Sequence, residues 1–317
     1  MPKSAHPEQD LRIAGVRLSN PERVLYMDQG ITKRQLAEHY QRVADYMLPH
    51  IVGRPLSLLR CPHGPGEPCF FQQRLDGKVP PGMEQVTIAD ANGQPATHLI
   101  VRDLAGLIGL AQLGVLEIHP WGATAADPDH PDRLIFDLDP GEEAVWEDVL
   151  HGARWLHRRL AALGLQSFLR TTGGKGLHVV APIAPEHDWD TIKTFARSIA
   201  QQLAADDPLR YVATPSKAER IGKVYVDYLR NARGASSIAN YSPRARKNAP
   251  VATPLLWSDL VQLDRSDACT IRNIPTRLNT LPDDPWTGFF ELHQSLTKAM
   301  VAEVTAARPP LNQYHHL

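Results

Sequence analysis

Apolar residues recur at helical spacing in several segments of the chain, and short apolar runs bounded by glycine or proline lie between them. Apolar positions three and four residues apart predict amphipathic helices, whereas apolar runs of four to eight residues predict strands. The predicted helices cover about 32–48, 103–113, 145–163, 188–203 and 286–306. The predicted strands are Leu56–Arg60, Cys69–Gln73, His98–Arg102, Leu116–His119, Leu134–Asp139, Leu165–Arg170, Leu177–Ile183 and Ile221–Leu229.

The run Leu134–Asp139 is an apolar strand that ends in two carboxylates separated by one residue. Side chains at i and i+2 of a strand point to the same face, so Asp137 and Asp139 project together while Leu138 turns into the core. A Pro-Gly pair then ends the strand and leaves both acids near an open edge. Two hard oxygen donors in this arrangement suit Mg²⁺ or Mn²⁺, and such ions handle phosphates. Because D-x-D is a short motif, a solvated acidic strand end is the alternative.

The composition is that of an ordinary globular protein, with 317 residues, 43% hydrophobic residues, 22% charged residues and a net charge of −1. No apolar run approaches the roughly 18 residues of a membrane span, and the N-terminus has no apolar signal-peptide stretch. Three cysteines do not make a disulfide framework, which favours a cytoplasmic location. Cys61, His63 and Cys69 admit a zinc site, but their spacing fits no usual zinc module, and incidental thiols beside a turn are the alternative.

Two later segments complement the acidic strand. The glycines of the loop 172–176 let backbone N–H groups approach an anion, and Lys175 supplies charge, although such a loop can also be a simple turn. His178 follows on a strand, where it can donate to a phosphate oxygen or be satisfied within the sheet. Asp227 lies on the polar face of another strand and is the third carboxylate that two metal ions about 3.5–4 Å apart require.

The surroundings of Asp227 form a basic region in an otherwise neutral chain. Nine cations stand against the two acids Glu219 and Asp227. Such a region is either a solvated surface or a cradle for a triphosphate and a nucleic-acid backbone. The cations are Arg210, Lys217, Arg220, Lys223, Arg230, Arg233, Arg244, Arg246 and Lys247.

The order of these motifs resembles that of the archaeo-eukaryotic primase superfamily. Longer strings at 113–122, 132–141, 171–180 and 226–231 are similar to the polymerase domain of bacterial ligase D, the enzyme of bacterial non-homologous end joining. The resemblance runs from about residue 18 to 286 and implies an α+β primase-type fold with mixed and antiparallel sheets packed with helices. We expect one primase-polymerase domain over 10–300, with an N-terminal α/β part over about 10–115 and a catalytic part over about 116–285. A C-terminal helix and tail are expected over 286–317.

The resemblance also implies roles for individual residues. The catalytic metal ligands would be Asp137, Asp139 and Asp227. The nucleotide-binding candidates are His119, Thr172, Lys175, His178, Arg230 and Arg244, with Thr172 in place of the superfamily's serine. The aromatic residues expected to stack on a template base are Phe70 and Phe71, one of which should face the core because strand neighbours face opposite sides. The pocket for the 5′-phosphate of a downstream strand would be Asn20, Arg23 and Lys33, with Arg23 in place of the usual lysine.

By the same resemblance the reaction is template-directed nucleotidyl transfer with two Mn²⁺ or Mg²⁺ ions, using NTPs or dNTPs with a preference for ribonucleotides. The implied partners are gapped or broken DNA with a 5′-phosphate, Ku and a DNA ligase, at a cytoplasmic, nucleoid-associated location in a bacterium and with no membrane. The nearest string to a ligase K-x-D-G is Arg74–Gly77, so either a stand-alone homologue or an excised domain is expected. The alternatives are a D-x-D glycosyltransferase and a DNA-end binding module without catalysis.

Overall fold

The structure, a computed structural model, describes residues 11–61, 68–74, 79–90 and 92–306. The helices are α1 Lys33–Arg42, α2 Ala44–Ile51, α3 Leu104–Gln112, α4 Trp146–Ala162, α5 Trp189–Asp206, α6 Ile274–Thr280 and α7 Lys298–Thr305. The strands are β1 Arg12–Ile13, β2 Val16–Arg17, β3 Val24–Tyr26, β4 Ile31–Thr32, β5 Leu56–Arg60, β6 Phe70–Gln72, β7 Met83–Ala89, β8 Pro95–Val101, β9 Val115–Pro120, β10 Arg133–Pro140, β11 Phe168–Thr171, β12 Leu177–Pro182, β13 Tyr211–Val212, β14 Val224–Asp227 and β15 Pro254–Leu255.

Most of the predicted helices are present, and their start signals act as expected. Thr32 caps α1 in a capping box with Gln35, and Asp103 and Asp188 cap α3 and α5 by accepting from backbone N–H groups. The first predicted helix is nevertheless two helices, because Val43 leaves the helical conformation between α1 and α2. The apolar face that predicted this segment is still buried as one surface.

The first sheet packs with the first three helices around one apolar core. Its order is β6-β5-β8-β7, and β9 pairs antiparallel with β5. The long hairpin of β7 and β8 was predicted only in its second strand, because β7 has no simple alternation of buried and exposed residues. The sheet brings the ends of β6 and β9 close to the second sheet.

The second sheet carries the three predicted acids. Its order is β13-β14-β10-β12-β11-β15, and its pairs are antiparallel except for the parallel pair β13–β14. On one face, Leu134, Phe136 and Leu138 of β10 pack with the apolar faces of α4 and α5. The alternation of a strand therefore turns Asp137 to the opposite face, away from α4 and α5.

The segment after residue 285 differs from the prediction. Only its last part is helical, as α7, and the preceding stretch folds irregularly onto the sheet. Trp286 and Phe289 are each 3% exposed and pack with Ile135, Phe168 and Val180. The indole N–H of Trp286 also donates to the Leu169 carbonyl at 2.8 Å. This segment is therefore part of the core that supports β10 to β12. In the described part of the chain, no helix has both the length and the apolar character required to cross a bilayer.

The packing of Trp286 predicts a large loss of stability on truncation. Trp286→Ala should lower the free energy of unfolding by about 3–5 kcal/mol, because it removes a buried aromatic side chain and leaves a cavity. Phe290→Ala is the matched control, since Phe290 is 48% exposed. Chemical denaturation should show a shifted midpoint for the first variant and little change for the second. Similar shifts for both would contradict this description of the core.

Candidate active site

One transverse row of four polar residues crosses the second sheet. Arg170 of β11 pairs in register with His178 of β12, His178 pairs with Asp137 of β10, and Asp137 pairs with Asp227 of β14. Directly opposed residues of antiparallel strands project from the same face with their Cβ atoms about 4.5–5.5 Å apart. The register therefore brings Asp137 and Asp227 together, although 90 positions separate them in the chain, and Asp139 follows two residues later along β10.

The Asp137 carboxylate is stabilised by two neighbouring side chains. Burial alone would raise the pKa of Asp137, but His178 and Arg230 lower it well below its usual range. Nε2 of His178 lies 3.3 Å from Oδ1 of Asp137, and Nη2 of Arg230 lies 3.1 Å from Oδ2. Arg230 also reaches Asp227, with 3.5 Å between Nε and Oδ2. This guanidinium thus bridges the two opposed carboxylates.

The charge of the other two acids is compensated only in part. Burial raises the pKa of Asp139, and the neighbouring Asp137 raises it further, while Arg220, with 3.7 Å between Nη1 and Oδ2, opposes this rise. Burial likewise raises the pKa of Asp227, and Arg230 offsets this only in part. A carboxylate whose pKa is raised by like charge favours an additional cation nearby.

The donor set suits a hard divalent cation, because three carboxylates lie near one another at the ends of the adjacent strands β10 and β14. Among the residues that the structure describes, however, no three histidine, cysteine, aspartate or glutamate side chains converge in a geometry that could hold a metal ion as they stand. Arg230 lies across two of the acids in this arrangement.

Arg170 fixes the hydrogen-bonding state of His178, and the sequence did not point to it. Its Nε and Nη2 lie 3.1 and 2.9 Å from Nδ1 of His178, and a guanidinium can only donate. Burial lowers the pKa of His178 to about 4, so the ring is neutral at pH 7 and carries its proton on Nε2. His178 therefore presents an N–H donor beside Asp137. Nη1 of Arg170 also donates to Asn240, and Nη2 also donates to Ser237.

The glycine-rich loop between β11 and β12 is shaped by the hydroxyl of Thr172. This hydroxyl oxygen accepts from the N–H groups of Gly174 and Gly176, each at 3.2 Å. Gly176 must be glycine for steric reasons, since a Cβ there would lie 2.1 Å from the Leu138 carbonyl oxygen. The loop thus packs directly on the strand that carries the acids, and Lys175 at its tip is exposed.

Glu117 of β9 is a second functional candidate that the sequence did not reveal. It is 4% exposed, and its Oε2 accepts from Nε2 of His119 at 2.9 Å. Its Oε1 accepts from the Ala245 N–H at 2.8 Å, and Nε of Arg244 forms an ion pair with Oε2 at 3.1 Å. Nη1 of Arg244 in turn donates to the Thr172 carbonyl at 2.6 Å. Glu117 therefore ties His119 and Arg244 to the glycine-rich loop.

Asn231 joins the turn that carries Arg230 to the central strand. Its side-chain oxygen accepts from the Ile135 N–H at 2.8 Å, and its amide donates to the Ile135 carbonyl at 2.7 Å. The amide also donates to the Tyr228 carbonyl. The side chain thus replaces a strand neighbour where β14 ends, and this holds Arg230 beside the acids.

These groups surround one cleft of about 230 Å³. Asp227 lies next to the cleft through its pairing with Asp137. The structure therefore brings together the predicted metal and nucleotide residues. The predicted residues that line the cleft are His119, Asp137, Asp139, Thr172, Lys175, His178, Arg230 and Arg244.

Phe70 and Phe71 are both exposed, at 46% and 67%, so the expectation that one of them faces the core is wrong. β6 is a three-residue strand at the edge of its sheet, and neither of its faces is covered. The Arg60 guanidinium lies 5.8 Å from the Phe70 ring centroid, and the Phe71 ring meets His119 edge-on at 6.0 Å. Phe71 therefore stands at the mouth of the cleft.

Asn20, Arg23 and Lys33 come together at the start of α1. Lys33 is 5% exposed, and its Nζ donates to the Ser19 carbonyl at 2.8 Å. Burial lowers the pKa of Lys33, and the charges of Arg23 and Arg60 lower it further, so three cations lie close together. Lys33 is thus not an ordinary solvated charge.

The first backbone N–H groups of α1 are already engaged within the protein. The N–H groups of Lys33 and Arg34 donate to the carbonyls of Arg23 and Pro21. The next N–H, of Gln35, donates to the Thr32 hydroxyl. Any anion here must therefore be bound by side chains.

Two sequence hypotheses concern regions that are only partly described. The zinc hypothesis is not supported, because the sulfur atoms of Cys61 and Cys69 are joined in a disulfide, and His63 lies outside the described residues. The alternative of incidental thiols at Cys61 and Cys69 is wrong for the same reason. The string at 74–77 that approximates a ligase motif lies outside the described residues except for Arg74.

The fold and the site together define a nucleotidyltransferase of the primase-polymerase class. The family model for the LigD primase-polymerase domain matches residues 32–286, and the chain belongs to this family. The chain superposes on the polymerase domain of Mycobacterium tuberculosis ligase D in complex with DNA with a TM-score of 0.77 and 32% identity. The match covers 93% of this chain and 99% of that one, which confirms the predicted α+β primase-type fold.

The curated relatives are longer than this chain. It is 40% identical over 288 residues to the multifunctional non-homologous end joining protein LigD of Pseudomonas aeruginosa, which covers 90% of this chain and 34% of that protein. It is 35% identical over 257 residues to the protein of the same name from Mycolicibacterium smegmatis, which covers 80% and 34%. The chain thus spans about a third of the length of these relatives.

The environment of Glu117 predicts a loss of stability in acid. Burial would raise its pKa, but the hydrogen bond from His119 and the charge of Arg244 lower it to about 2. An unfolded glutamate titrates at about 4.3. A depressed folded-state pKa stabilises the protein above the unfolded pKa, and this contribution disappears as the pH falls from about 4.3 through about 2.

Chemical denaturation across this pH range tests this prediction. The free energy of unfolding should fall more steeply for the wild type than for Glu117→Gln. Glu38→Gln, a change at an exposed helix position, should retain the wild-type slope. Equal slopes for the wild type and Glu117→Gln would show that Glu117 is not held as the structure describes.

Proposed function

We propose that this chain is a template-directed nucleotidyltransferase that fills gaps and extends 3′ ends at DNA double-strand breaks in non-homologous end joining. The observation that carries this proposal is the sheet register that sets Asp137 between His178 and Asp227 in a cleft rich in cations. Membership in the LigD primase-polymerase family supports it. The name of the P. aeruginosa relative assigns that protein to non-homologous end joining.

Asp137, Asp139 and Asp227 are the residues that would hold divalent cations, Mn²⁺ or Mg²⁺. Such ions, when bound, would activate the primer 3′-hydroxyl and stabilise the leaving pyrophosphate. The raised pKa values of Asp139 and Asp227, which the neighbouring arginines offset only in part, support this assignment.

The remaining cleft residues would bind and orient the nucleoside triphosphate. His178 would donate from Nε2 to a phosphate oxygen, in the state that Arg170 imposes. Lys175 at the loop tip and Arg244 beside Thr172 would neutralise phosphate charge as it develops. Because these donors are already fixed by the sheet and the loop, little reorganisation is needed during the reaction.

The DNA would be bound on two sides of the cleft. Exposed Phe70 and Phe71 would stack on a template base, which holds a strand without reading its sequence. Asn20, Arg23 and Lys33 would bind the 5′-phosphate of the downstream strand. We further propose ribonucleotides as the preferred substrates, Ku and a DNA ligase as partners, and a cytoplasmic, nucleoid-associated location. Domain limits of about 10–300, with a division near residue 115, are part of the same proposal.

The first test is nucleotide addition to a primed DNA template in Mn²⁺ and in Mg²⁺. We expect nucleotide addition to fall by at least about a hundredfold in each of three variants, Asp137→Asn, Asp139→Asn and Asp227→Asn. Changing even a residue that only hydrogen-bonds to a metal ligand costs about 10–100-fold. Asp190→Asn, at an exposed position of α5, should retain activity. DNA binding, measured in parallel, should be retained by all four variants. Near-normal activity in one of the three would remove that residue from the site, and an inactive wild type would refute the proposal.

The second test concerns the downstream strand. A gap with a 5′-phosphate should bind more tightly than the same gap with a 5′-hydroxyl by about 1–3 kcal/mol, the scale of charge-assisted hydrogen bonds. Lys33→Ala and Arg23→Ala should each remove most of this difference yet spare addition to a simple primer-template. Arg42→Ala, at the exposed end of α1, is the control. Equal wild-type affinities for the two gaps at one fixed salt concentration would eliminate the pocket.

A further inference from the structure

The two histidines of the cleft carry the proton on the same nitrogen, Nε2, but different ring nitrogens are engaged by the protein. His178 receives hydrogen bonds at Nδ1 from Arg170 and therefore carries its proton on Nε2. His119 lies with Nε2 2.9 Å from the Glu117 carboxylate. An ionised carboxylate can only accept, so His119 must donate from Nε2. The remaining nitrogen of a neutral His119 ring, Nδ1, is then a bare hydrogen-bond acceptor.

The position of the His119 ring leaves this acceptor for a ligand. The ring lines the cleft, and its side chain is 14% exposed. Among the residues that the structure describes, Glu117 is the hydrogen-bond partner of the ring, and it takes Nε2. Burial lowers the pKa of His119, which keeps the ring neutral at pH 7. Nδ1, on the other side of the ring from Glu117, is therefore the nitrogen that a ligand can reach.

An acceptor at this place selects among the groups of a nucleotide. Phosphate oxygens are acceptors themselves and cannot bond to a bare Nδ1. The His119 ring contacts the exposed Phe71 ring edge-on. Arg244 pairs with the same Glu117 carboxylate and donates to the carbonyl of Thr172 in the glycine-rich loop. An incoming nucleotide whose base pairs with a template base at Phe71, and whose phosphates lie at that loop, places its sugar near His119. The donors of a ribose are its hydroxyl groups.

We propose that Glu117 is a positioning residue that holds His119 as a hydrogen-bond acceptor for a ribose hydroxyl of the incoming nucleotide. This inference rests on the proposed function and assigns the sugar specificity of the same site. His119 then makes the contact, and Glu117, which touches no substrate, decides whether that contact is possible. Arg244 shares the same carboxylate, so the sugar site and the phosphate site are set by one buried side chain.

Glu117→Gln tests the proposal with a minimal change of shape. The Ala245 N–H retains the amide oxygen of the new side chain at the former Oε1 position. The amide NH₂ group then faces Nε2 of His119, which must accept, and the proton moves to Nδ1. The ring would now present a donor to the cleft. The loss of the ion pair with Arg244 affects every triphosphate equally, so ratios between nucleotides isolate the effect on the sugar.

The measurement compares ATP, 2′-deoxy-ATP and 3′-deoxy-ATP in the wild type, Glu117→Gln, His119→Ala and the surface control Glu38→Gln. We expect the wild-type preference for ATP over one deoxy analogue to fall about threefold to tenfold in the first two variants, as for the loss of one hydrogen bond. The analogue whose ratio changes identifies the hydroxyl. The double variant should fall no further than His119→Ala alone. Unchanged ratios for both analogues in Glu117→Gln would overturn the proposal.

Two readouts separate this proposal from the proposed function. Ratios are measured both as kcat/KM and as dissociation constants by calorimetry, so an inactive wild type would refute the function while the binding ratios still decide the inference. Nitrogen NMR of histidine-labelled protein, assigned with His119→Ala, should show the proton on Nε2 in the wild type and on Nδ1 in Glu117→Gln. A wild-type proton on Nδ1 would overturn the proposal whatever the activity.

Discussion

Much of the second sheet depends on one electrostatic constraint, the pairing of two buried aspartates at a single position of the register. Asp137 and Asp227 are each 8% exposed and directly opposed. Unpaired charges at such a position cost several kcal/mol each. Polar neighbours stabilise the two carboxylates. Arg230 bridges both acids, and neutral His178 donates to Asp137 from the adjacent strand. Arg170 on the next strand donates to His178 in turn. The site is thus a consequence of how the sheet keeps two like charges in place.

The same constraint explains why the first sheet matters for the site. Glu117 on β9 holds a second histidine and a second arginine, and this arginine reaches the glycine-rich loop of the other sheet. The Tyr26 hydroxyl donates to the carbonyl of the same Arg244 from a further strand. The cleft is therefore assembled from both sheets, and each sheet contributes one carboxylate-centred group of hydrogen bonds.

Local rules were enough to predict part of this arrangement. The spacing of Asp137 and Asp139 predicted a shared face, and the apolar run around them predicted a buried strand. The roles of Glu117 and Arg170 could not be predicted, because they depend on partners distant in the chain. Arg170 binds Ser237 and Asn240, 67 and 70 residues away, and nothing near it in sequence marks it as buried. The contact of the third acid with the first could not be predicted from local spacing, since only strand pairing brings Asp227 to Asp137.

Two errors have definite physical causes. The spacing of Trp286 and Phe289 imitates a helix, but Gly288 between them adopts φ +86, which a helix does not allow. These two side chains reach the core from an irregular turn. The pair Phe70 and Phe71 was assigned one buried face, as for a strand inside a sheet. β6 is an edge strand that pairs with β5, and both rings are exposed there.

That edge strand has a consequence for how the protein behaves in solution. Two adjacent aromatic side chains beside unpaired backbone groups are the kind of surface on which chains self-associate, and natural proteins usually shorten or charge such edges. β6 is only three residues long, and Arg60 places a guanidinium over one of its rings. Both features limit self-association of the chain and still leave the two rings exposed. The protein therefore keeps a bare aromatic face that favours self-association, and any ligand that covered these rings would also help to keep the chain in solution.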